Sequence, residues 1–119
     1  MPFNATVNRV FLLGRVADGP VWDQKGNKRV LCFNLTTTEE IRKGDTILEH
    51  IEMHHIVIPF EIVGEASIQV GGWVYIQGKI QTRPVFEDGV KMYRTEIWST
   101  NIELLKMRRP ATDIQYNNF

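Results

Sequence analysis

The sequence contains a single cysteine, Cys32, and no excess of charge of either sign. Because a disulfide needs two thiols, an intrachain disulfide is excluded. Lysine and arginine together number 14, as do aspartate and glutamate, so the formal net charge is +0. This balance gives no overall attraction to a polyanion. Any binding of nucleic acid therefore depends on how the charges are distributed over the surface.

Long apolar runs and a basic leader are also missing. No apolar stretch approaches the ~20 residues that a membrane-spanning helix requires. Residues 1–4 (MPFN) lack the basic and then apolar layout of a signal peptide. We therefore expect a cytoplasmic protein with no membrane association. Its 119 residues fit one domain of common size.

Motifs of catalysis and metal binding are absent from the sequence. It has no Gly-x-Ser-x-Gly turn, no phosphate-binding loop and no dinucleotide glycine pattern. His50, His54 and His55 lie in one predicted strand, and Glu52 is the one carboxylate suitably placed beside them. A metal site needs three or four converging ligands. We expect no enzyme activity, no metal and no cofactor.

Alternation of apolar and polar residues, which is typical of β-strands, runs through most of the sequence. We predict five strands and one short helix. The strands are residues 8–16, 28–38, 47–58, 73–83 and 91–105, and the helix is residues 60–70. In the fourth strand we expect Val74, Ile76 and Ile80 to face the core, because side chains alternate between the two faces of a strand.

The order β-β-β-α-β-β suits a five-stranded oligonucleotide-binding (OB) barrel, with the helix between the third and fourth strands. The predicted fold is therefore all-β with one short helix. We assign residues 1–106 to this domain. The polar residues 107–119 are predicted to form a short flexible C-terminal tail.

Five segments resemble, in order, those of bacterial single-stranded DNA-binding proteins. They are residues 7–16 (VNRVFLLGRV), 33–37 (FNLTT), 52–57 (EMHHIV), 74–83 (VYIQGKIQTR) and 93–97 (YRTEI). The resemblance spans roughly residues 7 to 105. It implies an OB domain that coats and protects unpaired DNA, without sequence specificity, during replication, recombination or repair. It also implies a homotetramer, with a dimer as the alternative.

The resemblance is weaker at the positions where family members stack bases on aromatic rings. The matching residues here are Ile41, Met53, Pro59 and Val85. Aromatic stacking contributes ~1–3 kcal/mol per base, so the loss of several rings should weaken binding unless other rings replace them. We hypothesise that Phe86 and Trp98, supported by Phe60, are the replacements. Met53 can also contact a base through its polarizable thioether.

Basic residues on the predicted strands and hairpins are the candidates for holding DNA phosphates. Together with the residues that would contact bases, they form the predicted nucleic-acid site: Arg9, Arg15, Arg42, Lys43, Met53, His55, Phe60, Lys79, Arg83, Phe86, Lys91, Arg94 and Trp98. Arg83 matches a basic position of the family. The alternative for each cation is an ordinary solvated surface, since carboxylates such as Glu39 and Glu40 are interspersed.

Trp73, Tyr75 and Gln77 share the non-core face of the predicted fourth strand. An exposed stripe of aromatic and polar side chains suggests association. The resemblance places Tyr75 and His54 near subunit contacts, so we predict an oligomer interface formed by His54, Trp73, Tyr75 and Gln77. A monomer with scattered surface aromatics is the alternative.

The C-terminus differs from the family pattern, which implies an acidic tip that ends in phenylalanine and recruits replication and repair proteins. This chain ends in Phe119, but Asp113 is the only acid after Glu103. Recruitment through the tail is therefore not expected. A second function stays open: an OB-fold accessory or primosomal-type interaction subunit with weak DNA affinity. The missing aromatics favour it, whereas the basic hairpins and strand motifs favour the DNA-binding protein.

Overall fold

The computed structural model describes residues 5–64 and 66–106 of the chain. Its elements are β1 (Val10–Lys25), β2 (Lys28–Lys43), β3 (Thr46–Pro59), α1 (Phe60–Val63), β4 (Trp73–Glu87) and β5 (Val90–Leu105). The strands close into a barrel in the order β1-β2-β3-β5-β4. This confirms the predicted fold class, a five-stranded OB barrel with one short helix. The predicted tail, residues 107–119, lies outside the described residues.

Four of the five strands, β1 to β4, continue past their predicted C-terminal ends. β1 continues past Val16 to Lys25, through irregularities in its pairing with β2 between Val16 and Val21. Such irregularities let a strand bend without ending. β2 and β3 then pair as far as Lys43 and Thr46, so they project from the barrel as a long hairpin.

The helix is shorter than the predicted residues 60–70 and ends at Val63. Gly64 follows with a φ of 54°, a left-handed conformation that glycine adopts readily and an α-helix cannot continue. Within the described part of the chain, no helix has the length and apolarity needed to cross a membrane.

The barrel interior is filled by aliphatic side chains from every strand, among them Val16, Leu35, Ile56 and Ile76. The expectation that Ile80 faces this core is wrong, because its side chain is 46% exposed. The pairing of β1 with β4 ends at Val10 and Gly78. Ile80 therefore lies beyond the closed part of the barrel, where β1 no longer covers it.

Gly78 marks a close approach of β4 to β5. A Cβ atom at this position would collide with the backbone carbonyl of Trp98. The pairing shifts at the same point, between Gln77 and Gly78. Glycine therefore permits the tight packing of strands that sets the position of Trp98.

Candidate nucleic-acid interface

A row of depressions crosses the outer surface of the barrel, from the outer half of the β4–β5 hairpin to the start of β1. Five adjoining depressions form it, and each shares lining residues with the next. The residues at the four junctions include, in order, His55, Lys25, Trp98 and Lys79. We call this surface the groove. A row of adjoining depressions fits an extended chain better than a compact small molecule.

Charges of both signs line the groove. The cations are Arg9, Lys25, Lys28, Lys79, Arg83 and Arg94, and the carboxylates are Asp18, Asp23, Glu61, Glu87 and Glu96. Within residues 5–64 and 66–106, Arg9, Lys28 and Lys79 form no ion pair. All three line the end of the groove beside α1 and the start of β1. This end therefore has the cations most available to a phosphate.

A buried carboxylate organises the middle of the groove. Glu96 is only 3% exposed. Arg83 donates a hydrogen bond from Nε to Glu96 Oε1 at 3.0 Å, and the indole of Trp98 donates from Nε1 to the same oxygen at 3.2 Å. Lys25 Nζ lies 3.7 Å from Oε2. A buried charge is tolerated only with such partners, so we call these four residues the Glu96 cluster.

The partners keep Glu96 ionised. Burial by itself raises the pKa of Glu96, but the hydrogen bond from Arg83 and the positive charges of Lys25 and Arg83 outweigh it. The net effect holds the pKa below its ordinary value. The same hydrogen bond raises the pKa of Arg83 above its ordinary value. Part of the Arg83 charge is thus balanced before any phosphate reaches the groove.

The Glu96 cluster also joins separate parts of the fold. Lys25 ends β1 at the turn into β2, Arg83 lies in β4, and Glu96 and Trp98 lie in β5. The ion pairs therefore fasten the tip of the β1–β2 hairpin to the wall formed by β4 and β5. The Glu96 cluster lies where two of the depressions adjoin, since Lys25 lines both of them.

Trp98 has the geometry of a stacking platform. The ring is half-buried, lies where two depressions of the groove meet, and is held at its N–H edge by Glu96. Lys79 is its partner in the β4–β5 ladder. An immobilised aromatic face beside an exposed ammonium can stack a base and hold a neighbouring phosphate.

The structure brings seven of the residues predicted from sequence into the groove: Arg9, Met53, His55, Lys79, Arg83, Arg94 and Trp98. Four others lie on the projecting hairpins. Arg42 and Lys43 end β2, and Phe86 and Lys91 face each other near the tip of the β4–β5 hairpin.

The remaining two predicted residues lie elsewhere. Arg15 lies away from the groove, with Cζ 5.5 Å from the centroid of the Trp73 ring and Nε donating to the Gly71 carbonyl oxygen at 3.4 Å. Phe60 begins α1 and contacts Trp22, with ring centroids 5.8 Å apart.

Sequence reasoning missed Lys25, Lys28 and Glu96. Lys25 and Lys28 flank the Gly26–Asn27 turn, so the sequence indicated that they lie close to each other. It did not indicate that both lie beside β4. Glu96 alternates with the buried Ile97, which indicated an outward direction. Its burial arises from side chains of β1, β4 and β5 that the local pattern does not bring together.

The predicted oligomer interface is only partly assembled in one chain. Trp73, Tyr75 and Gln77 share a face of β4, where the Gln77 side chain donates to the Tyr75 hydroxyl at 3.2 Å. Leu13 pairs with Tyr75 and Phe11 with Gln77, and both apolar side chains are more than half exposed. His54 is apart from this face, on β3, with Nε2 2.9 Å from Thr37 Oγ1.

Metal and thiol chemistry have little support in the described residues. Among them, no three or more His, Cys, Asp or Glu side chains converge in an arrangement that could hold a metal ion. Cys32 is a free cysteine, and burial raises the pKa of its thiol. A protonated thiol is a poor nucleophile.

Known single-stranded DNA-binding proteins are similar in sequence to this chain. The mitochondrial single-stranded DNA-binding protein of Pongo abelii is 31% identical over 112 residues, which cover 84% of this chain and 76% of the relative. The single-stranded DNA-binding protein of Neisseria meningitidis serogroup A is 30% identical over 107 residues. That match covers 84% of this chain, and the chain spans 60% of the length of the relative.

Solved structures share the fold. A Plasmodium falciparum SSB in complex with ssDNA matches with a TM-score of 0.74 and 25% identity, covering 88% of this chain and 100% of that one. The small single-stranded DNA-binding protein from Streptomyces coelicolor matches with a TM-score of 0.66 and 21% identity, covering 86% and 96%. A family model described as the single-strand binding protein family matches residues 7–105. The chain therefore belongs to the single-strand binding protein family.

Proposed function

We propose that this chain binds single-stranded DNA along the groove, without sequence specificity, and so coats and protects unpaired DNA. The observation that carries the proposal is the row of adjoining depressions from Met53 to Arg9, with the ring of Trp98 where two of them meet. Family membership and the fold shared with an SSB that is solved in complex with ssDNA support it.

Binding would divide into two physical parts. Cations such as Arg9, Lys28 and Lys79, which form no ion pair with the described part of the chain, would neutralise phosphates and release counterions. Affinity would therefore fall with salt. Trp98 would stack a base, and every base offers a ring face, so this contact carries little sequence information. Replication, recombination and repair are the processes that expose such DNA. The proposal includes no catalytic step and assigns a cytoplasmic location.

The two projecting hairpins would extend the site. Arg42 and Lys43 at the end of β2, and Phe86 with Lys91 near the tip of β4–β5, are exposed. Phe86, at 71% exposed, has no role in the core. Closure of these hairpins over bound DNA would add phosphate contacts and one more stacked base.

We further propose that the chain forms a homotetramer, or a dimer, through the outer face of β1 and β4. Phe11 and Leu13 add two exposed apolar side chains to the stripe of Trp73, Tyr75 and Gln77. An apolar patch of this kind, rimmed by polar residues, is typical of association surfaces.

One observation favours a second function, the accessory interaction subunit with weak DNA affinity. Arg83 and Lys25, two of the six cations in the groove, already pair with Glu96. In addition, Ile41, Met53, Pro59 and Val85 offer no aromatic ring. A titration of fluorescently labelled oligo-dT, followed by anisotropy at several salt concentrations, separates the two. Tight binding that weakens steeply with salt supports the DNA-binding function. No binding at low salt would leave the accessory function.

A further inference from the structure

The charges of the groove are distributed unevenly along its length. At the end beside the start of β1, the charged lining residues are Arg9 and Lys79, both positive. The depression that contains Glu96 is lined by three carboxylates and two cations, namely Asp18, Asp23, Glu96, Lys25 and Arg94. A DNA phosphate therefore meets strong attraction at one end of the groove and little net attraction in the middle.

Lys25 lies between two of these carboxylates. Its Nζ is 3.7 Å from Glu96 Oε2 and 3.8 Å from Asp23 Oδ2. The Lys25 side chain lines two depressions of the groove, but it is only 17% exposed. A phosphate in the groove can thus reach this ammonium only in competition with Glu96 and Asp23.

Arg83 is paired on one side and open on the other. Its Nε donates to Glu96 Oε1 at 3.0 Å, whereas its Nη groups form no ion pair within residues 5–64 and 66–106. The side chain is 38% exposed and lines the groove. The Nη groups can donate to a phosphate. A phosphate bound there shares the guanidinium with Glu96, and the negative charge of Glu96 repels it.

We propose that Glu96, assisted by Asp23, is an internal competitor of DNA phosphate, which limits the affinity of the middle of the groove by occupying Lys25 and Arg83. This inference rests on the proposed function. Burial and the hydrogen bond from Trp98 Nε1, at 3.2 Å, keep the Glu96 carboxylate beside the two cations. The phosphates of a bound strand are then held more firmly at the end of the groove beside β1 than at the Glu96 cluster.

Glu96→Gln distinguishes competition from a purely structural role. Glutamine keeps an oxygen that accepts from Arg83 and Trp98, but it loses the negative charge. The variant should bind labelled oligo-dT more tightly than the wild type at low salt. The slope of the logarithm of the association constant against that of salt concentration should steepen by about 0.7–1.4, because each added phosphate contact on a single strand contributes about 0.7. Loss of a purely structural contact would weaken binding instead, so unchanged or lower affinity overturns the proposal.

Asp23→Asn tests the same competition at an exposed position, where folding is less at risk. Asp23 is 57% exposed. Its replacement should tighten binding by about 2- to 5-fold, which is the contribution of an exposed ion pair. The matched control is Glu103→Gln, because Glu103 lies in β5 like Glu96 but is exposed and outside the groove. It should bind as the wild type does.

Anisotropy titrations at several salt concentrations measure all four proteins, and circular dichroism confirms that each is folded. Equal affinities of Asp23→Asn and Glu103→Gln overturn the proposal, since any gain would then reflect net charge alone. Failure of the wild type to bind oligo-dT even at low salt is a different result, which overturns the proposed function.

Discussion

Arg83 in β4 donates a hydrogen bond from Nε to the carboxylate of Glu96 in β5, at 3.0 Å. Glu96 is buried, whereas the Arg83 side chain is 38% exposed in the groove. Glu96 therefore contributes to the packing of the barrel, whereas Arg83 is accessible to a ligand in the groove. Removal of either residue should affect the stability of the barrel as well as the affinity for DNA.

Arg83→Ala should lower the free energy of unfolding by about 1–3 kcal/mol, because it deprives a buried carboxylate of a donor. Arg83→Ala combined with Glu96→Gln should lose less than the sum of the two single variants, with a coupling energy of about 0.5–3 kcal/mol. Urea unfolding of the wild type, the two single variants and the double variant measures this coupling energy. If the effects of the two single variants simply add, the interaction between Arg83 and Glu96 contributes nothing to stability. Lys79→Ala, a substitution of an exposed groove cation, is the control and should leave stability near that of the wild type.

Acid should weaken the fold through the same carboxylate. The pKa of Glu96 is lower in the folded protein than its ordinary value of 4.5. Its stabilisation is thus complete above about pH 4.5 and is lost as the pH falls through the lower folded-state pKa. Unfolding free energies measured across this range should fall more steeply for the wild type than for Glu96→Gln. Parallel pH profiles would contradict the assignment.

The sequence predicted the barrel well because its strands alternate clearly and its core residues, such as Leu35 and Ile76, follow that alternation. The prediction that Ile80 is buried was wrong, because alternation does not indicate where a strand leaves the closed barrel. The site was harder. Arg83 and Trp98 were predicted from the pattern and the family resemblance, but their common contact with Glu96 arises from packing between strands that are distant in sequence.

Trp98→Ala should weaken binding of oligo-dT by ~1–3 kcal/mol, because it removes the ring that would stack a base in the groove. Trp98→Phe keeps an aromatic face and should retain most of the affinity. Anisotropy titrations of labelled oligo-dT measure both variants, and thermal unfolding confirms that each is folded. If the alanine and phenylalanine variants bind equally well, Trp98 is not a stacking platform.

Self-association through the outer face of β1 and β4 predicts a mass several times the 13.8 kDa of the chain. Leu13→Glu should reduce the mass toward that of a monomer, because it buries a charge in the interface. Ile51→Glu is a matched control, since Ile51 is similarly exposed, at 57% against 52% for Leu13, but lies on the β2–β3 hairpin. Multi-angle light scattering measures all three. A monomeric wild type at micromolar concentration, or equal masses for all three proteins, would contradict the interface.

The central claim, that single-stranded DNA lies in the groove, is tested most directly by nuclear magnetic resonance of the tryptophan indoles. Trp98 lines the groove, whereas Trp73 lies on another face with Arg15 over its ring. Titration of the ¹⁵N-labelled chain with oligo-dT should shift the Trp98 indole resonance strongly and leave that of Trp73 nearly unchanged. A Trp98 resonance that stays in place while labelled oligo-dT is bound to saturation would contradict the account.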